Sequence, residues 1–152
     1  MHRTRMKHAL SCMLCVVLLA AAALNMTACS NSQSQTPAAQ TQLYVQSDAP
    51  HALGEGQTTF PFTVTDLDGN EVSFEISTEE TTVGAALSAV GLIQGEEGPY
   101  GLMVSHVNGV KLDYDEDKAY WAFYIDGGYA MSGVDQTEIE SGKAYAFRAV
   151  KA

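Results

Sequence analysis

Cysteine is scarce: the 152 residues hold three, Cys12, Cys15 and Cys29, and none lies beyond position 29. The remainder of the chain therefore has no disulfide staple, cysteine-ligated metal centre or thiol nucleophile. Cations are scarce as well, eight Lys and Arg against eighteen Asp and Glu, a formal charge of −10 at neutral pH. A field of that sign repels phosphate backbones and anionic headgroups, which argues against a nucleic-acid partner. Long apolar runs are missing. The longest, Ala9 to Leu24, falls short of the roughly 20 residues that a membrane-spanning helix needs. Catalytic motifs are missing too: from residue 59 onward there is one histidine, His106, no serine in a nucleophile elbow and no phosphate-cradling glycine loop. A nucleophile needs a base and an orienting group beside it, so the chain reads as a non-enzyme.

What is present begins with MHRTRMKH, followed by the apolar run and then NMTACS. A cationic start, an apolar stretch and small residues before a cysteine make residues 1–28 a signal peptide of the bacterial lipoprotein kind, with Cys29 the lipidated first residue of the mature protein. Met26 departs from the usual aliphatic residue of that pattern, and ordinary secretory cleavage near Ala28 is the alternative. Cys12 and Cys15 leave with the signal. Losing Arg3, Arg5 and Lys7 leaves five cations against eighteen acids, a formal charge of −13. The expected location is the extracytoplasmic face of a cell membrane, with the lipid as the only membrane contact. Residues 29–58, rich in Ser, Gln, Thr, Pro and Ala without a sustained period, read as a flexible linker. Residues 59–152 are then the folded domain.

Inside it the hydrophobic period changes. Phe60, Phe62 and Val64 alternate with polar residues, as do Val72, Phe74 and Ile76, with DLDGN between them, which predicts two strands joined by a turn. In TTVGAALSAVGLI, Val83, Ala86, Leu87 and Val90 fall at helical spacing after a threonine cap and before Gly91. QGEEGP reads as a loop. Asn108-Gly109 between apolar runs is a hairpin signal. AYWAFYID, GG and YAMSGV read as strand, turn and short return, and AYAFRAV as a closing strand. One helix among several strands gives an α+β domain, a curled mixed sheet packed on a single helix in β-grasp style. Along AYWAFYI, Trp121, Phe123 and Ile125 point one way and Tyr120, Ala122 and Tyr124 the other. The first set suits a core. The second is either an open aromatic face or is covered by the loop from Gln94 to Tyr100.

The succession TTVGAALSAVGLI, YGLMVSHVNGV, YWAFYIDGGYAMSGVDQTEIESGKAYAFRAV resembles domain-of-unknown-function family 4430, bacterial relatives of the C-terminal domain of transcobalamin and intrinsic factor. The likeness runs from about Phe60 to Val150: a Thr-Val helix start, an Asn-Gly hairpin, a Tyr-Trp pair on a strand, an Asp-Gly turn, a Gly-Val step and a Gly-Lys turn into an aromatic strand. It implies a β-grasp-like fold that binds a ligand without catalysis, with cobalamin or another corrinoid as the ligand. The positions that match the family's ligand-lining strand and hairpin are Trp121, Phe123, Tyr124, Asp126, Met131 and Gly133. The helical domain that completes the vertebrate site is absent. Tyr100, Tyr120 and Tyr129 join the candidate site as flat aromatic surface.

Two other readings stand beside it. In LDYDEDKAY, Asp113, Asp115 and Asp117 are spaced like the first ligands of a calcium loop, although Lys118 and Tyr124 occupy positions where that loop needs Gly and Glu. His106 is a candidate ligand for a metal or for the cobalt of a corrinoid. The domain would then be a calcium- or metal-binding surface protein. In the third reading the aromatic face or a sheet edge meets a partner protein, as in an adhesion module.

Overall fold

The computed structural model of the protein describes residues 43–152. The expected signal peptide, Cys29 and residues 30–42 of the expected linker lie outside the described residues. Two sheets form the body, and the larger takes the sequence's alternating segments. β1 (His51–Gly54), β2 (Thr58–Thr65), β3 (Glu71–Thr78), β7 (Ala119–Ile125), β8 (Gly128–Tyr129) and β9 (Tyr145–Lys151) assemble in the order β1-β3-β2-β9-β7-β8. The β1–β3 and β2–β9 pairs are parallel and the others antiparallel. The smaller sheet is the antiparallel meander β4 (Ile93–Gly98), β5 (Gly101–Val107) and β6 (Val110–Lys111). The α+β class is as expected. The two-sheet arrangement differs from a single curled sheet.

Period decides which face is buried. Phe60, Phe62, Val64, Phe74 and Ile76 sit inside because the β2–β3 register sets Phe60 opposite Ile76, Phe62 opposite Phe74 and Val64 opposite Val72. Tyr145 and Phe147 arrive from β9, Tyr145 edge-on to Phe60 at 5.4 Å and stacked with Phe123 at 6.2 Å. Each such ring contributes about 1.5–3 kcal/mol through burial alone. Helix α1 (Val83–Ala89) starts where the Thr82 side chain accepts the Ala85 amide, and it buries Val83, Ala86 and Leu87. Gly91 follows at φ +70°, the left-handed conformation that ends helices.

Two segments depart from expectation. The stretch read as linker to residue 58 is structured from its described start: His51–Gly54 is β1, and Tyr44 packs edge-on to Phe74 at 5.4 Å. Buried Asn108 holds this strap as a neighbouring strand would, its Oδ1 accepting from the Tyr44 amide at 2.8 Å and its Nδ2 donating to the Tyr44 carbonyl at 2.9 Å. QGEEGP, read as a loop, is most of β4, paired to β5 through a register shift at Gln94–Gly95. Glycine and glutamate give no alternation to read, and an edge strand with one paired side tolerates them.

Candidate functional site

β7 divides the candidate residues. Alternation sets Trp121 and Phe123 on one face of β7 and Tyr120 and Tyr124 on the other, and Trp121 with Phe123 lines one cleft while Tyr120 lines another. On the first side a cleft of about 150 Å³ lies between β5 and the β8 region. Its walls are Leu102 and Val104 from β5, Trp121, Phe123 and Phe147 from the larger sheet, and Tyr129 with the run Ser132–Val134. Trp121 is fixed there because its indole N–H donates to the Val110 carbonyl at 3.3 Å. Of the expected ligand-binding residues, Trp121, Phe123, Tyr129 and Gly133 come together in this cleft. Leu102, Val104, Ser132 and Val134 were not anticipated, although Leu102 and Val104 alternate with Met103 and Ser105 as strand residues should.

On the other side a wider cleft, about 440 Å³, collects Tyr120 with Glu96, Met103, His106, Lys111, Asp113, Tyr114 and Asp115. His106 Nδ1 is 2.9 Å from the Ser105 hydroxyl. The acidic run is a capped helical turn and not a calcium loop. Asp113 caps α2 (Tyr114–Asp117) by accepting the Asp115 and Glu116 amides at 2.9 and 3.2 Å, and those two bonds hold its carboxyl below the usual carboxylate range. Asp117 turns back to accept the Asp113 amide at 2.7 Å. With Asp113 and Asp117 occupied in this way, Asp113, Asp115 and Asp117 do not converge. Among the described residues no three His, Cys, Asp or Glu groups are arranged to hold a metal ion.

The other candidates are scattered. Tyr124 meets Tyr129 edge-on at 5.6 Å and carries the Arg148 guanidinium over its ring at 4.6 Å. Asp126, at φ +50°, fastens its turn to the start of β9: it accepts the Ala144 amide at 3.0 Å and pairs with Lys143 at 2.7 Å. The Ala144 amide first, and then Lys143, lower the pKa of Asp126, while Asp126 raises that of Lys143. Asp126 is thereby committed to a turn and faces neither cleft. Tyr100 and Met131 are 91 % and 97 % exposed and line neither cleft. A third, mainly apolar cleft of about 270 Å³ runs beneath the strap, from Leu43 and Tyr44 across Val64 and Val72 to Val110 and Trp121. No expected site residue but Trp121 lines it, because the strap reads as linker in the sequence.

Residues 80–148 match the family Domain of unknown function (DUF4430), the segment that runs from the start of α1 into β9 and supplies most of the two clefts beside β7. Among solved structures the chain is similar to a protein from Ruminococcus gnavus ATCC 29149 described as a "putative metal binding protein", at 27% identity and a TM-score of 0.60 over 63% of this chain and 99% of that one. It is also similar to haptocorrin in complex with Cbi, at 13% identity and a TM-score of 0.49, over 64% of this chain and 26% of haptocorrin. No curated protein matches the chain.

Proposed function

With residues 80–148 in the DUF4430 family, we propose that this protein is a non-catalytic ligand-binding lipoprotein, held by a lipid on Cys29 at the extracytoplasmic face of a membrane. The observation that carries the reading is the convergence of Trp121, Phe123, Tyr129 and Gly133 with Leu102 and Val104 on one cleft. Its volume of about 150 Å³ is well below the roughly 300–1,000 Å³ of pockets that enclose a small molecule. The cleft therefore grips an edge or substituent, and the rest of the ligand lies across the exposed Tyr129. A flat, largely apolar molecule suits that arrangement, and the family resemblance makes a corrinoid the first candidate. Aromatic walls supply large contact area at low entropic cost.

The test is an absorption titration of the purified protein with cobalamin and with cobinamide. Saturable binding that weakens about tenfold in Leu102→Ala and Tyr129→Ala supports the reading. Wild-type-like binding in both variants removes the cleft from it, and no spectral change removes the corrinoid. The lipid anchor is tested separately, since labelled fatty acid should enter the wild type and not Cys29→Ser.

A second reading, cation binding, is favoured by the description of the Ruminococcus gnavus neighbour. It does not compete for the aromatic cleft.

A further inference from the structure

Among the described residues, one buried side-chain oxygen lacks a hydrogen-bond partner, Oδ1 of Asp135. Asp135 lies in the 3-10 turn Val134–Gln136, and three glycines press against it. A methyl group placed on Gly101 would fall 2.7 and 2.8 Å from the two carboxylate oxygens, and one on Gly133 would fall 2.6 Å from Oδ1. A methyl on Gly84 would meet the Asp135 Cα at 2.7 Å. Gly101 at the tip of the β4–β5 hairpin and Gly133 thus close on the Asp135 carboxylate, and Gly84 at the start of α1 on its backbone, at distances no β-carbon permits.

A second oxygen lies near Gly133. The Tyr100 carbonyl is 3.9 Å from that methyl position. The strand register pairs Gly98 with Gly101, which leaves Pro99 and Tyr100 as the two-residue hairpin tip and the Tyr100 carbonyl outside the ladder. Oδ1 of Asp135 and the Tyr100 carbonyl thus both lie beside Gly133, and Oδ1 has no donor. A buried acceptor without a partner is costly, and a charged one more so. A cation resolves the conflict, and the donor set selects its kind. Oxygen atoms alone suit a hard cation, whereas zinc and copper prefer nitrogen and sulfur. The chain beyond Cys29 has no cysteine, and His106 belongs to the other cleft.

We propose that Asp135, with the Tyr100 carbonyl, anchors a hard-cation site in the cradle formed by Gly101 and Gly133, with calcium as the probe. The proposal rests on the cation-binding reading and gives it a location different from the acidic run at Asp113–Asp117. One carboxylate makes a weak site, at the end of the range, about 10⁻⁴–10⁻³ M, occupied by extracellular modules. The acidic chain raises the local concentration of divalent cations. The site also touches the aromatic cleft, since Gly133 lines it and Gly101 adjoins Leu102. Cation binding would pin the hairpin tip to the cleft's far wall.

The experiment is a calcium titration of the chelator-treated protein, read by calorimetry and by the melting temperature. Three chains are compared: wild type, Asp135→Asn, and the control Asp113→Asn with Asp115→Asn. The expected result is saturable binding in wild type and control, weakened at least tenfold in Asp135→Asn. Equal binding in all three overturns this site and leaves the cation reading standing. Loss in the control alone moves the site to the acidic run, and no response in wild type ends the cation reading and the site together. Amide shifts in the wild type keep the question answerable if Asp135→Asn does not fold: calcium should move the Gly101 and Gly133 signals first, and unmoved signals there at saturation contradict the proposal.

Discussion

The β2–β3 and β4–β5 hairpins are both antiparallel pairs, and they are built for opposite purposes. In the first, alternate residues are buried on both strands, Phe60, Phe62 and Val64 against Val72, Phe74 and Ile76. In the second, only the terminal Ile93 and Val107 are buried, while Met103 is 69 % exposed and Glu96 and Glu97 face solvent. The first hairpin holds the fold, and the second forms a wall of both clefts beside β7. The first hairpin lines neither cleft beside β7, and only Val64 and Val72 at its turn end border the cleft beneath the strap.

The comparison breaks most visibly by truncating matched positions. Phe74→Ala should cost about 3–5 kcal/mol of stability, the usual range for a buried ring. Leu102→Ala, at a half-buried position on the cleft wall, should cost less than about 2 kcal/mol. Urea melts read both. Equal losses would mean that the β4–β5 hairpin is part of the core after all.

Asn108 joins the two hairpin regions and gives the next largest effect. It occupies the left-handed position of its turn at φ +48° and clamps Tyr44 with two hydrogen bonds. Asn108→Gly keeps the turn conformation and loses the clamp, so it should cost about 1–3 kcal/mol and speed hydrogen exchange of the Tyr44 amide. Unchanged exchange would show that ring packing on Phe74 holds the strap without the clamp. Tyr124→Ala comes next, at about 1–2 kcal/mol, because it removes an edge-on aromatic pair and the ring beneath Arg148. Binding in the Trp121 cleft should survive it.

The smallest effect is pH dependence carried by turns and not by either hairpin's packing. Hydrogen bonds from the Asn70 side chain, then from the Asn70, Asp68 and Gly69 amides, lower the pKa of Asp66, and Asp113 and Asp126 are lowered similarly. For a depressed carboxyl, the stability is present above the ordinary value of 3.8 and is lost as pH falls through the lower folded value. Melting temperature should thus be flat through neutral pH with respect to these groups and fall below about pH 4. The raised Lys143 acts in the opposite sense: its contribution is present below 10.5 and is lost as pH climbs through the higher folded value.

How much of this was legible follows from the same contrast. Period-2 alternation exposed β2, β3, β7 and β9, and Thr82 with Gly91 bracketed the helix, because core burial imposes a pattern on sequence. β4 imposed none, since its residues are paired through backbone and face water. The strap was missed because its fixing partner, Asn108, lies 64 positions away and already had a turn to explain it. The Asp triplet misled because carboxylates that cap a helical turn have much the same spacing as carboxylates that bind calcium. Asp135 left no local trace; only folding brings Gly84, Gly101 and Gly133 around it.

The central claim is that the cleft beside Trp121 takes a ligand, and the titration of the purified protein with cobinamide addresses it most directly. The account predicts a saturable change in the corrinoid bands together with perturbed Trp121 fluorescence, both weakened in Tyr129→Ala. Corrinoid binding that leaves Trp121 unperturbed and is equal in Tyr129→Ala would contradict it.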